Sequence, residues 1–122
     1  MEAKTKILIA EDNASNYKLL EIVLSKEYTL VHAWNGEEAV ELFKEHTPQL
    51  ILMDIGMPIM NGYEATAAIR SLPGEKGKLP IVAMTANAFA EDVQLAKNTG
   101  MNGHIAKPLD MNKLNDVLEN WL

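Results

Sequence analysis

A chain of 122 residues with 48% hydrophobic and 23% charged residues can build one compact core and lacks the length for a second, so residues 1–122 are read as one domain. Without cysteine there is no disulfide framework, thiolate zinc site, iron–sulfur cluster or cysteine nucleophile. With 11 basic against 17 acidic residues the formal charge is -6 and Arg70 is the only arginine, which opposes nucleic-acid binding and favours a cation or a basic partner.

No apolar run approaches the roughly 20 residues of a membrane span, and Met1-Glu2-Ala3-Lys4-Thr5-Lys6 has no secretory apolar segment. A cytoplasmic setting, or the cytosolic side of a larger assembly, is expected, with no direct membrane contact.

Five short apolar runs alternate with five segments of helical period. Strands are predicted over Lys6 to Ala10, Thr29 to Trp34, Leu50 to Asp54, Pro80 to Met84 and Gly103 to Ala106. Ile7-Leu8-Ile9, Leu50-Ile51-Leu52-Met53 and Ile81-Val82-Ala83-Met84 are continuously apolar, as parallel strands covered on both faces require. Between them, helical stripes recur: Tyr17, Leu20, Val23 and Leu24; Ala39, Leu42 and Phe43; Ala65, Ile69 and Leu72; Phe89, Val93 and Ala96; Leu114, Val117, Leu118 and Trp121. Asn35 with Glu38 and Asn61 with Glu64 have the spacing of a capping box. Five βα units joined by right-handed crossovers predict an α/β fold, a doubly wound parallel sheet whose chemistry lies at the strand C-termini.

That rim collects Glu11 and Asp12 after the first strand, Asp54 after the third, Thr85 after the fourth and Lys107 after the fifth. The second strand contributes nothing comparable, and His32 and His46 are read as incidental. Converging carboxylates raise one another's pKa and oppose folding, a cost that a divalent cation would offset. All the ligands are hard oxygens, so Mg²⁺ or Mn²⁺ suits the site, with Ca²⁺ a competitor. Asp54 is the best placed nucleophile, because the middle strand of a 2-1-3-4-5 order ends at the centre of the rim. Phosphoryl transfer accounts for the remaining groups: charge on the equatorial oxygens needs a cation, a positive side chain and a hydroxyl donor.

Glu11-Asp12-Asn13, Met53-Asp54-Ile55-Gly56-Met57-Pro58-Ile59-Met60-Asn61-Gly62, Met84-Thr85-Ala86-Asn87-Ala88 and Lys107-Pro108 closely resemble the motifs of receiver domains of two-component response regulators. The resemblance spans essentially the whole chain and implies a flavodoxin-like (βα)5 domain of strand order 2-1-3-4-5. It implies that Asp54 accepts a phosphoryl group from a phosphohistidine on a histidine kinase or histidine phosphotransfer domain. It also implies that Asp12 and Asp54 bind Mg²⁺ directly, Glu11 through water, with the Gly56 carbonyl as a further ligand. Lys107, Thr85 and the Ala86 amide would hold the phosphoryl oxygens, and the Lys107-Pro108 bond would be cis. Added charge at Asp54 would draw Thr85 inward and shift the face of the fourth helix, fifth strand and fifth helix. His104 stands where the family often has an aromatic residue that follows the threonine, which suggests a pH-tuned switch; the blander expectation is a partly buried, hydrogen-bonded histidine.

Met57 to Thr66 and Thr85 to Ala88 resemble receivers of hybrid sensor kinases more than chemotaxis receivers, and Trp121-Leu122 follow directly on the last predicted helix. The receiver of a hybrid histidine kinase is therefore expected, with a stand-alone single-domain regulator as the alternative. Such a domain is no enzyme in the ordinary sense, although it assists its own phosphorylation and slow dephosphorylation; Gly56 and Asn87 would flank the attacking water. Three rivals fit less well. A haloacid dehalogenase-like phosphatase wants an aspartate where Gly56 stands. A flavin protein would not present the acidic loop Glu11 to Asn16 to a phosphate. A receiver-like module that takes no phosphate would not need Asp54, Thr85 and Lys107 together.

Overall fold

The computed structural model describes residues 4–72, 76–85, 90–107 and 110–122. In chain order the strands are β1 (Thr5–Ala10), β2 (Tyr28–Ala33), β3 (Leu50–Asp54), β4 (Ile81–Thr85) and β5 (Gly103–Ala106). The helices are α1 (Ala14–Leu24), α2 (Gly36–His46), α3 (Gly62–Arg70), α4 (Ala90–Thr99) and α5 (Met111–Trp121). All strand pairs are parallel and the sheet order is β2-β1-β3-β4-β5, as expected.

Period-two alternation divides the buried side chains between two cores. Leu8, Ala10, Ile51, Met53, Ile81 and Ala83 face Phe43, Ala65, Ile69 and Ala96 of α2, α3 and α4. Ile7, Ile9, Leu50, Leu52, Val82, Met84 and Ile105 face Leu20 and Leu24 of α1 and Leu114 and Leu118 of α5. Every residue of β3 and β4 is buried, which explains their unbroken apolar runs, whereas the edge strands β2 and β5 are only partly covered.

Two strands differ from expectation by one residue at both ends. Pro80 has no N–H to donate and contributes only its carbonyl, to Ile51 N at 3.0 Å, so β4 begins at Ile81. Its last residue is Thr85, whose carbonyl accepts from Lys107 N at 2.8 Å. Trp34 leaves β2 because its N–H turns to Glu38 Oε1 at 3.0 Å. Among the stripes, Trp121 is 38% exposed and falls outside the core, and Phe89 lies outside the described residues.

Asn61 and Glu64 form the complete capping box. Asn35 accepts from Glu38 N at 2.8 Å, but Glu38 reaches Trp34 and not the Asn35 N–H, so only half of the second box forms. Arg70 ties the far end of α3 to its surroundings by donating to the carbonyls of Gly77, Leu79 and Gly100 and to Asn102 Oδ1, at 2.6–2.9 Å. No described helix is long and apolar enough to cross a membrane.

Candidate functional site

The C-terminal ends of β1, β3, β4 and β5 open into a cavity of about 420 Å³ lined by Glu11, Asp12, Asn13, Asn16, Asp54, Ile55, Gly56, Thr85 and Lys107. Glu11, Asp12 and Asp54 each offer an oxygen, and these atoms lie within 4.8 Å of one another. Glu11 is fully buried, Asp54 nearly so, and Asp12 is exposed. Lys107 Nζ stands 3.2 Å from Asp54 Oδ1 and 3.1 Å from Glu11 Oε2.

The order of these groups is a consequence of the sheet. β3 is central, so Asp54 meets neighbours on both sides, and the register sets Asp54 opposite Met84, one residue short of Thr85. Gly56 N donates to Asp54 Oδ1 at 3.2 Å. The next turn is held by close backbone approach: Gly62 N donates to the Ile55 carbonyl at 3.0 Å, and a Cβ at Gly62 would meet the Asp54 carbonyl oxygen at 2.4 Å. Gly36 N likewise donates to the Met60 carbonyl at 2.9 Å.

Glu11 is the most heavily supported member. Its Oε1 accepts from Asn13 N at 3.3 Å, Asn16 Nδ2 at 3.2 Å and Lys107 Nζ at 3.3 Å. Its main chain is held by β2: Glu11 N donates to the Ala33 carbonyl at 3.0 Å, and His32 Nε2 lies 2.9 Å from the Glu11 carbonyl oxygen. Asn13, which caps α1 by accepting from Asn16 N, and Asn16 line the site without being expected to. Their signal was an asparagine-capped helix start directly after the acidic pair. The second strand places no side chain in the cavity lining, as expected, but His32 supports the site from behind, because a side chain one strand away reaches a backbone oxygen that no residue pattern reveals.

Electrostatics point to a missing positive charge. Burial, then the Glu11 carboxylate, pushes the Asp54 carboxyl up to about 6, a hydrogen bond with Asp12 adds to this, and the charge and hydrogen bond of Lys107 only partly oppose it. Burial works to lower the Lys107 ammonium, yet hydrogen bonds and charges from Glu11 and Asp54 raise it overall. Glu11 Oε2 is buried, and among the described residues its contact is the ion pair with Lys107 Nζ at 3.1 Å, with no further hydrogen bond. A close set of hard oxygens with excess negative charge fits a small divalent cation such as Mg²⁺.

Thr85 is buried at the cavity wall. His104 pairs with Ala83 across β4 and β5 and is exposed, not partly buried as the blander reading had it. Ala86, Asn87 and Pro108, and with them the amide contact and the peptide geometry expected there, lie outside the described residues.

This fold with an aspartate, an acidic pair, a threonine and a lysine at one sheet edge defines a phosphoacceptor signalling domain of two-component systems. The chain belongs to the response regulator receiver domain family, whose family model matches residues 7–119.

It is 37% identical over 120 residues to hybrid signal transduction histidine kinase I of Dictyostelium discoideum, covering 93% of this chain and 7% of the kinase. It is also 37% identical over 117 residues to the autoinducer 1 sensor kinase/phosphatase LuxN of Vibrio harveyi, covering 95% of this chain and 13% of LuxN. Against the polar-differentiation response regulator DivK of Brucella anthropi the identity is 32%, covering 95% of this chain and 94% of DivK. The chain thus spans a small part of the hybrid kinases and nearly all of DivK.

Among solved structures, Vibrio cholerae chemotaxis protein CheY4 superposes with a TM-score of 0.91 at 28% identity, over 98% of this chain and all of that one. The receiver domain of the Pseudomonas aeruginosa sensor histidine kinase PA1611, with magnesium coordinated in its active site cleft, gives 0.88 at 36% identity over 98% of each chain. The co-crystal structure of the Saccharomyces cerevisiae histidine phosphotransfer protein Ypd1 with the Ssk1 receiver domain gives 0.89 at 32% identity, over 99% of this chain and 90% of that one.

Proposed function

We propose that Asp54 is the phosphoacceptor and that this chain is the receiver of a hybrid sensor histidine kinase acting in a phosphorelay. The observation that carries the reading is the convergence of Glu11, Asp12, Asp54 and Lys107 in one cavity, with a Lys107 ammonium 3.2 Å from Asp54 Oδ1. The solved magnesium-bound receiver and the Ypd1–Ssk1 complex support a cation and a histidine phosphotransfer donor here too.

In the transfer, an Asp54 carboxylate oxygen attacks the phosphorus of a partner phosphohistidine. A P–O bond forms while the P–N bond breaks, and the leaving imidazole keeps the electron pair and takes a proton from solvent. Asp12 and Asp54 would bind Mg²⁺, or Mn²⁺ in its place, with the Gly56 carbonyl and, through water, Glu11. When bound, the ion neutralises the carboxylates and the charge on the equatorial oxygens. Lys107, Thr85 and the Ala86 amide take the remaining phosphoryl oxygens. Water then hydrolyses the acyl phosphate slowly, past the bare Gly56. Thr85 and His104 relay the modification to the face formed by α4, β5 and α5. The domain works in the cytoplasm and binds neither nucleic acid nor membrane itself.

Incubation with Mg²⁺ and a small acyl phosphate or phosphoramidate tests this: a phosphoryl mass adduct is expected, and Asp54→Ala abolishes it. Multiple turnover of many phosphate esters would instead identify a phosphatase, and bound Mg²⁺ without an adduct an inactive module.

A further inference from the structure

We propose that His32 is a positioning residue for the cation site, acting through the Glu11 carbonyl; the inference rests on the reading of Asp12 and Asp54 as Mg²⁺ ligands. In a parallel ladder a residue donates its N–H to one position on the neighbouring strand and accepts from the N–H two positions further on. Glu11 N donates to the Ala33 carbonyl, so a continued ladder would bring Asn35 N–H to the Glu11 carbonyl. The chain has turned by then, since Asn35 is the N-cap of α2. Among the described residues the Glu11 carbonyl therefore has no backbone partner at the point where the strand hands over to the acidic pair.

His32 fills that place. Its Nε2 lies 2.9 Å from the Glu11 oxygen, and because a carbonyl can only accept, Nε2 carries the proton. The ring cannot readily swing away. Tyr17 of α1 stacks on it with centroids 3.6 Å apart and planes 1° from parallel, while Trp34 packs on it at 4.2 Å and 44°. The peptide held by this bond joins Glu11 to Asp12, and Asp12 is the exposed carboxylate of the three. An exposed ligand depends on its backbone for position, and the two peptides leading into Asp12 are each held once: the Ala10–Glu11 peptide by the Glu11 N–H donating to Ala33, and the Glu11–Asp12 peptide by its carbonyl accepting from His32. The stack thus links α1 and β2 to the cation, and its job is orientation, with no atom of His32 in the cavity lining.

The test is a Mg²⁺ titration of the whole chain, read from the amide resonances of Asp12 and Gly56, with thermal midpoints measured without the ion. His32→Phe keeps a ring for Tyr17 but removes the donor, and a loss of Mg²⁺ affinity of about tenfold is expected, the scale of lost partners of metal ligands. His32→Gln restores an N–H donor and is expected to recover part of that loss. Tyr17→Leu leaves the donor but frees the ring, and is expected to weaken binding by a smaller factor. His32→Phe with unchanged affinity overturns the proposal whatever its midpoint, since that is the pattern of a purely structural histidine. If His32→Phe does not fold, unchanged affinity in Tyr17→Leu overturns it equally. A wild-type chain that takes up no Mg²⁺ overturns the underlying reading as well, which separates the two failures.

Discussion

Lys107 Nζ lies 3.1 Å from Glu11 Oε2 and 3.3 Å from Oε1, so the ammonium that the motifs assign to Asp54 is shared with a fully buried glutamate. One positive charge thus serves two carboxylates, and neither is fully compensated. This shortage makes the cavity receptive to a cation and, after burial, contributes to the raised carboxyl pKa of Asp54.

Removing that charge should show both effects. In Lys107→Met the Asp54 titration is expected to move further up from about 6, because the lysine's charge and hydrogen bond both lower it. Leaving Glu11 buried without its cation should cost about 1–3 kcal/mol of stability in the metal-free protein. Carboxyl carbon shifts against pH and urea unfolding are the measurements.

The raised Asp54 carboxyl also sets a pH dependence with a definite sign. Its folded value near 6 lies above the ordinary 3.8, so the metal-free native state binds the proton more tightly than the unfolded chain does. Asp54's contribution to stability therefore falls as pH rises between these values, being fully unfavourable above about 6 and absent below 3.8. Asp54→Asn should melt higher than the wild type at pH 7 and converge with it below pH 4, and saturating Mg²⁺ should narrow the gap at pH 7. Parallel melting curves across this range would refute the assignment.

The turn behind Asp54 should be intolerant of a single methyl group. Gly62→Ala sets a Cβ at 2.4 Å from the Asp54 carbonyl oxygen and 2.9 Å from Ile55 Cα, both backbone atoms. A loss of about 1–3 kcal/mol is expected, with weakened phosphorylation because the displaced segment carries Asp54, the proposed acceptor. At Gly56 a Cβ meets nothing within 4 Å, so Gly56→Ala should fold normally and reveal any influence on acyl-phosphate lifetime without a stability change. Unfolding curves and the decay of the phosphoryl adduct distinguish the two.

Arg70 should resist conservative replacement. Its planar fork reaches three carbonyls and the Asn102 amide oxygen, and Asn102 Oδ1 also accepts from Ile81 N at 2.9 Å at the start of β4. A lysine cannot span this set, so Arg70→Lys is expected to cost about 1.5–3 kcal/mol while leaving Mg²⁺ uptake at the proposed site unchanged. Denaturant midpoints and a Mg²⁺ titration check the two halves of the statement.

His104 and Thr85 share a face of the sheet, since Ala83 pairs with His104 and Thr85 with Ala106. If His104 carries the switch outward, His104→Ala should flatten the difference in partner-binding profile between the phosphorylated and the unphosphorylated chain. An unchanged difference removes histidine from the switch.

Sequence alone determined the five βα units, because continuous apolar runs and helical stripes are local patterns imposed by burial on both faces of a parallel sheet. It also determined which side chains meet: Glu11, Asp12, Asp54, Thr85 and Lys107 each end or follow a strand, and parallel strands bring such positions to one edge. Exact strand ends were less accessible, as Pro80 and Trp34 show, since they depend on where individual N–H groups find acceptors. Only the tertiary structure decided that Lys107 is divided between Glu11 and Asp54, that Asn16 supports Glu11, and that His32 replaces a lost ladder bond at the Glu11 carbonyl. These depend on distances between groups far apart in the chain, and on backbone atoms that every residue shares, so no pattern of side-chain types can announce them.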